Sequence, residues 1–229
     1  MSFISASNLI KKYGTGDAAV LAVNDINLSI DSGEFISIMG ESGSGKSTLL
    51  SILGAMNSPA SGRLFINDID VYSLKSEQQA DFRREFLGFI FQSFYLVPYL
   101  SVIENVMLPL AIIDINKREK YDMAFSALKS VGLEKKVNRL PNQISGGEME
   151  RAAIARAIVN EPPILLADEP TGNLDTKTSS NVMDLLQKLN SEGMTIIMVT
   201  HSKECSEHAG RTVRISDGII ISDEKNLSN

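Results

Sequence analysis

The chain has 229 residues, of which 43% are hydrophobic, with a formal net charge of −6 and a single cysteine. That length supports one large domain, or a domain with a subdomain, around a sizeable core. The charge excludes a molecule built on a broad basic face for nucleic acid. The lone Cys205 excludes an intramolecular disulfide, suits a reducing compartment and reads as a small helix residue.

Met1–Ala6 lacks a charged start and a long apolar stretch, so no signal peptide is expected. No run of about 20 apolar residues predicts a membrane span. The nearest approach, Leu96 to Ile113, is broken by Pro98, Glu104, Asn105 and Pro109. Ile26, Leu28 and Ile30 alternate with polar neighbours, as in a half-buried strand. Glu34–Met39 is a short apolar strand that runs into Gly40-Glu41-Ser42-Gly43-Ser44-Gly45-Lys46-Ser47, and a helix follows with Leu49, Leu50 and Leu53 at helical spacing. Gly62–Asp70 reads as strand, turn and strand, Ser76–Leu87 as a charged helix, and Gly88–Gln92 as a strand. From Ser93 to Asn160 the patterns are mostly helical, including Lys117–Val131 and an alanine-rich helix over Met149–Val159. Ile164–Ala167 and Thr195–Thr200 are continuous apolar runs, expected of parallel strands covered on both faces. Asp175–Asn190 is the helix between them. Arg211–Ser216 and Ile219–Ser222 flank Asp217-Gly218 as a two-residue hairpin, and a loose polar tail is expected from Asp223 to Asn229. No internal repeat or low-complexity segment stands out.

The segment Gly40–Ser47 fits G-x-x-x-x-G-K-[ST], a loop that wraps phosphates. Its glycines let backbone N–H groups approach phosphate oxygens, and the helix N-terminus adds partial positive charge. Lys46 supplies a full charge for β- and γ-phosphates, and the Ser47 hydroxyl is a Mg²⁺ ligand. Asp168 and Glu169 follow a buried strand directly, where ligands bind in open α/β sheets. Asp168 suits a phosphate-bound Mg²⁺, and Glu169 is the candidate general base for an attacking water. Ser145-Gly146-Gly147-Glu148 is a capping box in which two glycines open the helix, at a cost of ~1 kcal/mol each relative to alanine. Bare N–H groups there make a second phosphate-contacting site.

Ile144-Ser145-Gly146-Gly147-Glu148 resembles the LSGGQ signature of ATP-binding-cassette (ABC) ATPases, and the other motifs of that family occur in the right order over about residues 3 to 222. By that resemblance Tyr13 stacks on adenine, Gly40–Thr48 is the Walker A loop (Gly40, Ser42, Gly43, Ser44, Gly45, Lys46, Ser47 and Thr48 contacting nucleotide), and Gln92 is the Q-loop glutamine, which also touches Mg²⁺. Asp168 and Glu169 are similar to Walker B and the catalytic glutamate, Gly172-Asn173-Leu174-Asp175 to the D-loop, and His201 to the switch histidine. Asp175 doubles as a helix N-cap, and His208 is assigned to the surface. Two departures stand out: Ile144 for leucine and Glu148 for glutamine. A negative Glu148 near a γ-phosphate would weaken ATP-driven closure, so its carboxylate is expected to face the Ser145 backbone instead, and Arg151 remains as a nearby cation.

The resemblance implies an α/β P-loop NTPase with a RecA-like parallel core, an N-terminal antiparallel β part and an inserted helical subdomain. As one domain, 1–92 and 161–222 form the nucleotide-binding core, 93–160 the signature subdomain and 223–229 the tail. It implies ATP with Mg²⁺, a homodimer that sandwiches ATP between the phosphate loop of one copy and Ser145–Gly147 of the other, and hydrolysis served by Glu169, His201 and Gln92. It also implies a peripheral location on the cytoplasmic membrane face and a transmembrane permease partner. Some of the apolar stretch Tyr95–Leu100 is expected in the core, and its exposed fraction to form a docking groove for that partner. The strings Phe91–Pro98 and Glu169–Asp175 are most similar to the lipoprotein-releasing, macrolide-exporting, antibiotic-sensing and FtsE-type cell-division branch, whose partners have few spans and a large extracytoplasmic domain. A regulatory ATPase that transmits a signal without moving cargo stays open as an alternative. A soluble cassette for DNA repair or ribosome work is disfavoured, since that group has paired cassettes, long insertions or basic extensions.

Overall fold

The computed structural model describes residues 2–15 and 19–226. In chain order the strands and helices are β1 (Ile4–Tyr13), β2 (Val20–Ile30), β3 (Phe35–Met39), α1 (Lys46–Leu53), β4 (Ser61–Ile66), β5 (Ile69–Asp70), α2 (Ser76–Phe86) and β6 (Leu87–Phe91). There follow α3 (Val102–Met107), α4 (Lys117–Ser130), α5 (Gly146–Ile158), β7 (Ile164–Asp168), α6 (Thr176–Ser191), β8 (Thr195–Thr200), α7 (Lys203–Ser206), β9 (Arg211–Ser216) and β10 (Ile219–Lys225).

Two sheets form. The first is antiparallel, in the order β2-β1-β4-β5. Its β4–β5 turn places Asn67 and Asp68 at φ 48° and 62°, the left-handed pair a two-residue hairpin requires and short polar side chains tolerate. The second runs β10-β9-β3-β8-β7-β6, parallel from β9 to β6 with β10 antiparallel at the edge. This is the expected parallel α/β core with an antiparallel N-terminal part.

The continuous apolar runs follow from burial on both faces. Successive side chains of a strand point to opposite sides. Ile36, Ile38, Ile164, Leu166, Ile197 and Val199 therefore join one core with α1 and the antiparallel sheet. Phe35, Leu165, Ala167, Ile196 and Met198 join another with α3, α4, α5 and α6. The segment 93–160 shares this second core: Ala152, Ile154 and Ala155 of α5 pack with Ile90, Leu165 and Ala167 of the sheet. Its helices begin at capping boxes: Ser101 with Glu104, Asn116 with Glu119, and Ser145 with Glu148. The signature helix thus starts at Gly146, directly after its Ser145 cap, as the capping box implied.

The expected loose tail is corrected. Asp223, Glu224 and Lys225 continue β10 against β9. Arg211 grips Asp223 through Nε and Nη2, each at 2.7 Å, and Asn226 Nδ2 donates to Ala209 O at 2.7 Å. Backbone pairing and one forked ion pair order a segment whose composition is polar. Residues 227–229 of the expected tail lie outside the described residues.

Candidate active site

The parallel register brings the motif residues together. Phe91 pairs with Asp168 and Asp168 with Val199, while Met39 pairs with Thr200. The next residues along, Gln92, Glu169, His201 and Gly40, therefore emerge at one sheet edge, the carboxyl ends of the strands.

The Gly40 loop is shaped by close approaches. A Cβ on Gly40 would strike the Ile215 carbonyl, and Gly45, at φ 101°, faces the Ala22 carbonyl. Gly45 caps α1, so the first N–H groups of that helix open toward the loop. Lys46 is only 6% exposed, and its ammonium donates to Gly40 O at 2.8 Å and Glu41 O at 2.6 Å. Ser44 Oγ is buried with no hydrogen-bond partner among the described residues, and a buried hydroxyl of this kind can donate to an anion. Ser42 and Gly43 are exposed on the same loop, and Thr48 follows in the first turn of α1.

Ser47 Oγ donates to Asp168 Oδ1 at 3.0 Å. Burial pushes the Asp168 carboxyl above the usual range; the Ser47 hydrogen bond opposes this, and Glu169 adds to it. Glu169 sits at φ 50°, a left-handed position uncommon for a side-chain-bearing residue, and is held there by Glu169 N donating to Val199 O at 2.9 Å. Its Oε2 lies 2.6 Å from His201 Nδ1. A carboxylate with an oriented imidazole partner, beside a phosphate loop, can accept a proton from water.

Gln92 is exposed just past β6, and its carbonyl accepts from Asn173 Nδ2 at 2.7 Å. A Cβ on Gly172 would come within 3.0 Å of Gln92 Nε2, so the Q-loop and D-loop segments lie side by side. Asp175 caps α6 through Thr178 N at 3.0 Å and Thr178 Oγ1 at 2.6 Å, and these bonds lower its carboxyl pKa.

Ser145, Gly146 and Gly147 have other neighbours. Gly146 lies against Leu174, and a Cβ on Gly147 would strike the Thr178 methyl, both near the start of α6. The glutamate departure resolves as expected: Ser145 N donates to Glu148 Oε2 at 2.9 Å. Tyr13 ends β1 with its hydroxyl accepting from Asn57 Nδ2 at 2.6 Å and Lys11 Nζ 5.4 Å from its ring centroid. The adenine-stacking role of Tyr13 rests on the family resemblance. His208 is half-buried rather than on the surface, and its carbonyl accepts from Gln187.

Three residues escaped the sequence reading. Lys136 Nζ lies 3.2 Å from Glu148 Oε1. Arg156 donates to the carbonyls of Phe94 and Tyr95, both at 2.6 Å, clasping the segment after Gln92 in which both residues have positive φ. Glu150 is fully buried. No local motif marks the first two; helical spacing marks the third.

A further groove of about 480 Å³ opens between α2, β6 and α5, lined by Phe89, Phe91, Tyr95, Pro109, Ile112 and Arg156 among others. Tyr95 lines it, and Leu96 is partly buried against the core, so the stretch divides between groove and core.

Comparison with known proteins accords with this geometry. The sequence profile of the family described as "ABC transporter" matches residues 23–172. The chain is 44% identical over 222 residues to the uncharacterized ABC transporter ATP-binding protein YvrO of Bacillus subtilis, covering 97% of each. It is 42% identical to the macrolide export ATP-binding/permease protein MacB of Vibrio parahaemolyticus, over 97% of this chain and 34% of that protein. Among solved structures, it is similar to the dimeric post-hydrolysis state of the ATP-binding cassette MJ0796 bound to ADP and Pi, with a TM-score of 0.90 and 41% identity, covering 99% of this chain and 100% of that one. MJ0796 comes from Methanocaldococcus jannaschii.

Proposed function

This chain belongs to the ABC transporter family of ATP-binding ATPases, and from that premise we propose that two copies close around ATP to drive a membrane partner. The observation that carries the reading is the separation of two phosphate-binding helix ends. The N-terminus of α1 opens at Gly40–Ser47, whereas that of α5 lies against Leu174 and Thr178. Each chain holds one copy of each half, so a two-fold dimer completes both sites. MJ0796, similar along its whole length, is described as a dimer with ADP and Pi.

In this reading Lys46, Ser44 and the loop N–H groups hold the β- and γ-phosphates of ATP, and Tyr13 stacks on the adenine. Ser145–Gly147 of the second copy cap the γ-phosphate. Glu169 takes the proton of the attacking water, His201 steadies the carboxylate and the phosphate, and Gln92 carries the state of the site to the helical segment. Ser47, Asp168 and Gln92 fit a divalent cation: hydroxyl and carboxylate already meet at 3.0 Å. Among the described residues no cluster of three or more His, Cys, Asp or Glu side chains forms a cage. That donor set suits Mg²⁺, which takes few protein ligands alongside phosphate and water and would neutralise phosphate charge there.

No helix among the described residues is long and apolar enough to cross a membrane, and the proposed partner is a membrane permease. Tyr95 and Ile112 are 65% and 72% exposed at the apolar groove beside the Gln92 segment, the surface proposed for a permease helix. Relatives named as macrolide export ATP-binding/permease proteins support an export-type permease partner, and a large extracytoplasmic domain on it rests on the resemblance of the Phe91–Pro98 and Glu169–Asp175 strings. Glu169→Gln chain with ATP, used to capture proteins from detergent-solubilised native membranes, should retain one integral membrane protein of that architecture. Adding Tyr95→Glu and Ile112→Asp should abolish the capture. Retention of soluble proteins alone would contradict the transporter reading.

A further inference from the structure

Glu148 occupies the third position of α5 and reaches back to the helix start. Its Oε2 accepts from Ser145 N at 2.9 Å, so a full negative charge sits at the N–H groups proposed to bind phosphate. An anion at a helix N-terminus stabilises the helix but competes with any second anion there. Its charge persists at neutral pH, because the Ser145 backbone bond, with help from Lys136, holds its carboxyl below the usual range.

The competing charge has a counter-charge. Lys136 Nζ lies 3.2 Å from Glu148 Oε1, with the two side chains 40% and 20% exposed. Lys136 is not on a floppy loop. Lys136 N donates to Leu133 O and Arg139 N donates to Lys136 O, both at 2.9 Å. The same turn accepts Ile103 N at Val137 O and Val102 N at Arg139 O, fastening it to the first turn of α3. Ion pairs this exposed contribute little to folding stability, so its consequence lies in the local field. Arg151, 3.8 Å from the Cβ position of Gly147, adds a second cation. With Lys136 and Arg151 the charges of Glu148 and of Asp175, bonded to Thr178 beside Gly147, are balanced; without Lys136 one negative charge is in excess.

Resting on the sandwich reading above, we propose that Lys136 is a positioning residue for ATP-driven dimer closure: it neutralises Glu148 so that Ser145–Gly147 can receive the γ-phosphate held by a second copy. The glutamate departure in the signature is thereby tolerated, and Lys136 matters because residue 148 is acidic.

The test is a double-mutant cycle in the Glu169→Gln background, titrating ATP and following dimerisation by light scattering. Lys136→Met should raise the ATP concentration for half-maximal dimer by about tenfold, the scale of one partly screened charge acting on a phosphate. With Glu148→Gln also present, the same substitution should change it by less than about twofold. Lys136→Arg should restore the parent value, and the tenfold effect should shrink with added salt. An equal shift in both backgrounds, no shift in either, or a matching loss of ADP affinity in the monomer would overturn the proposal. If the parent Glu169→Gln chain fails to dimerise with ATP while still binding it, the sandwich reading itself fails, and this inference with it.

Discussion

Glu150 lies four residues past Gly146 on α5 with no exposure, and neither carboxylate oxygen has a hydrogen-bond partner among the described residues. Burial pushes its carboxyl up to about 8, and the charge of Arg156 only partly opposes this. The folded chain thus holds a proton that the unfolded chain sheds near pH 4.5, so stability falls as pH rises from about 4.5 and levels off above about 8. Glu150→Gln removes this linkage. Urea denaturation should show the variant more stable at pH 8 by on the order of 3 kcal/mol and near parity at pH 4.5. Parallel pH profiles would mean that Glu150 is ionised in the fold. Its burial was legible in principle: Gly147, Glu150, Ala153 and Ile154 share one helical face, and all are buried. Lys136 left no such trace, since its partner is set by how two loops fold back on α3 and α5.

At the scale of elements, the strands and helices that carry chemistry were legible because their patterns are unambiguous. The short apolar runs, the glycine loop and the capping box each have one cheap conformation. The end of β10 was not, because an exposed edge strand of mixed charge has neither alternation nor apolar content to mark it. The contact between α5 and α6 was equally hidden, and it makes a sharp prediction. Thr178 cannot turn its methyl away from Gly147 without losing the 2.6 Å bond from its hydroxyl to Asp175. Gly147→Ala should therefore destabilise by about 1 kcal/mol, the worth of that hydrogen bond set against the gain in helix propensity. In a Thr178→Ser background, which keeps the hydroxyl and removes the methyl, the same change should stabilise by up to ~1 kcal/mol. Equal effects in both backgrounds, measured by thermal unfolding, would show that the two helices do not pack as described.

For the whole molecule, the class of fold followed from the sequence, but the strand order and the division into two cores did not. Parallel strands covered on both faces have no pattern that says which neighbour each pairs with. The three-dimensional order matters to function, since it sets Gln92, Glu169, His201 and the Gly40 loop on adjacent strand ends while turning Ser145–Gly147 toward α6. In the proposed reading one chain holds two half-sites, and the central claim is that a second copy completes them. Light scattering coupled to gel filtration on Glu169→Gln chain, with ATP and then with ADP, tests it most directly. The account predicts 25.0 kDa with ADP, twice that with ATP, and turnover reduced by at least about 10²-fold through loss of the base. A chain that binds ATP yet stays at 25.0 kDa, or that hydrolyses it at the parent rate, would contradict it.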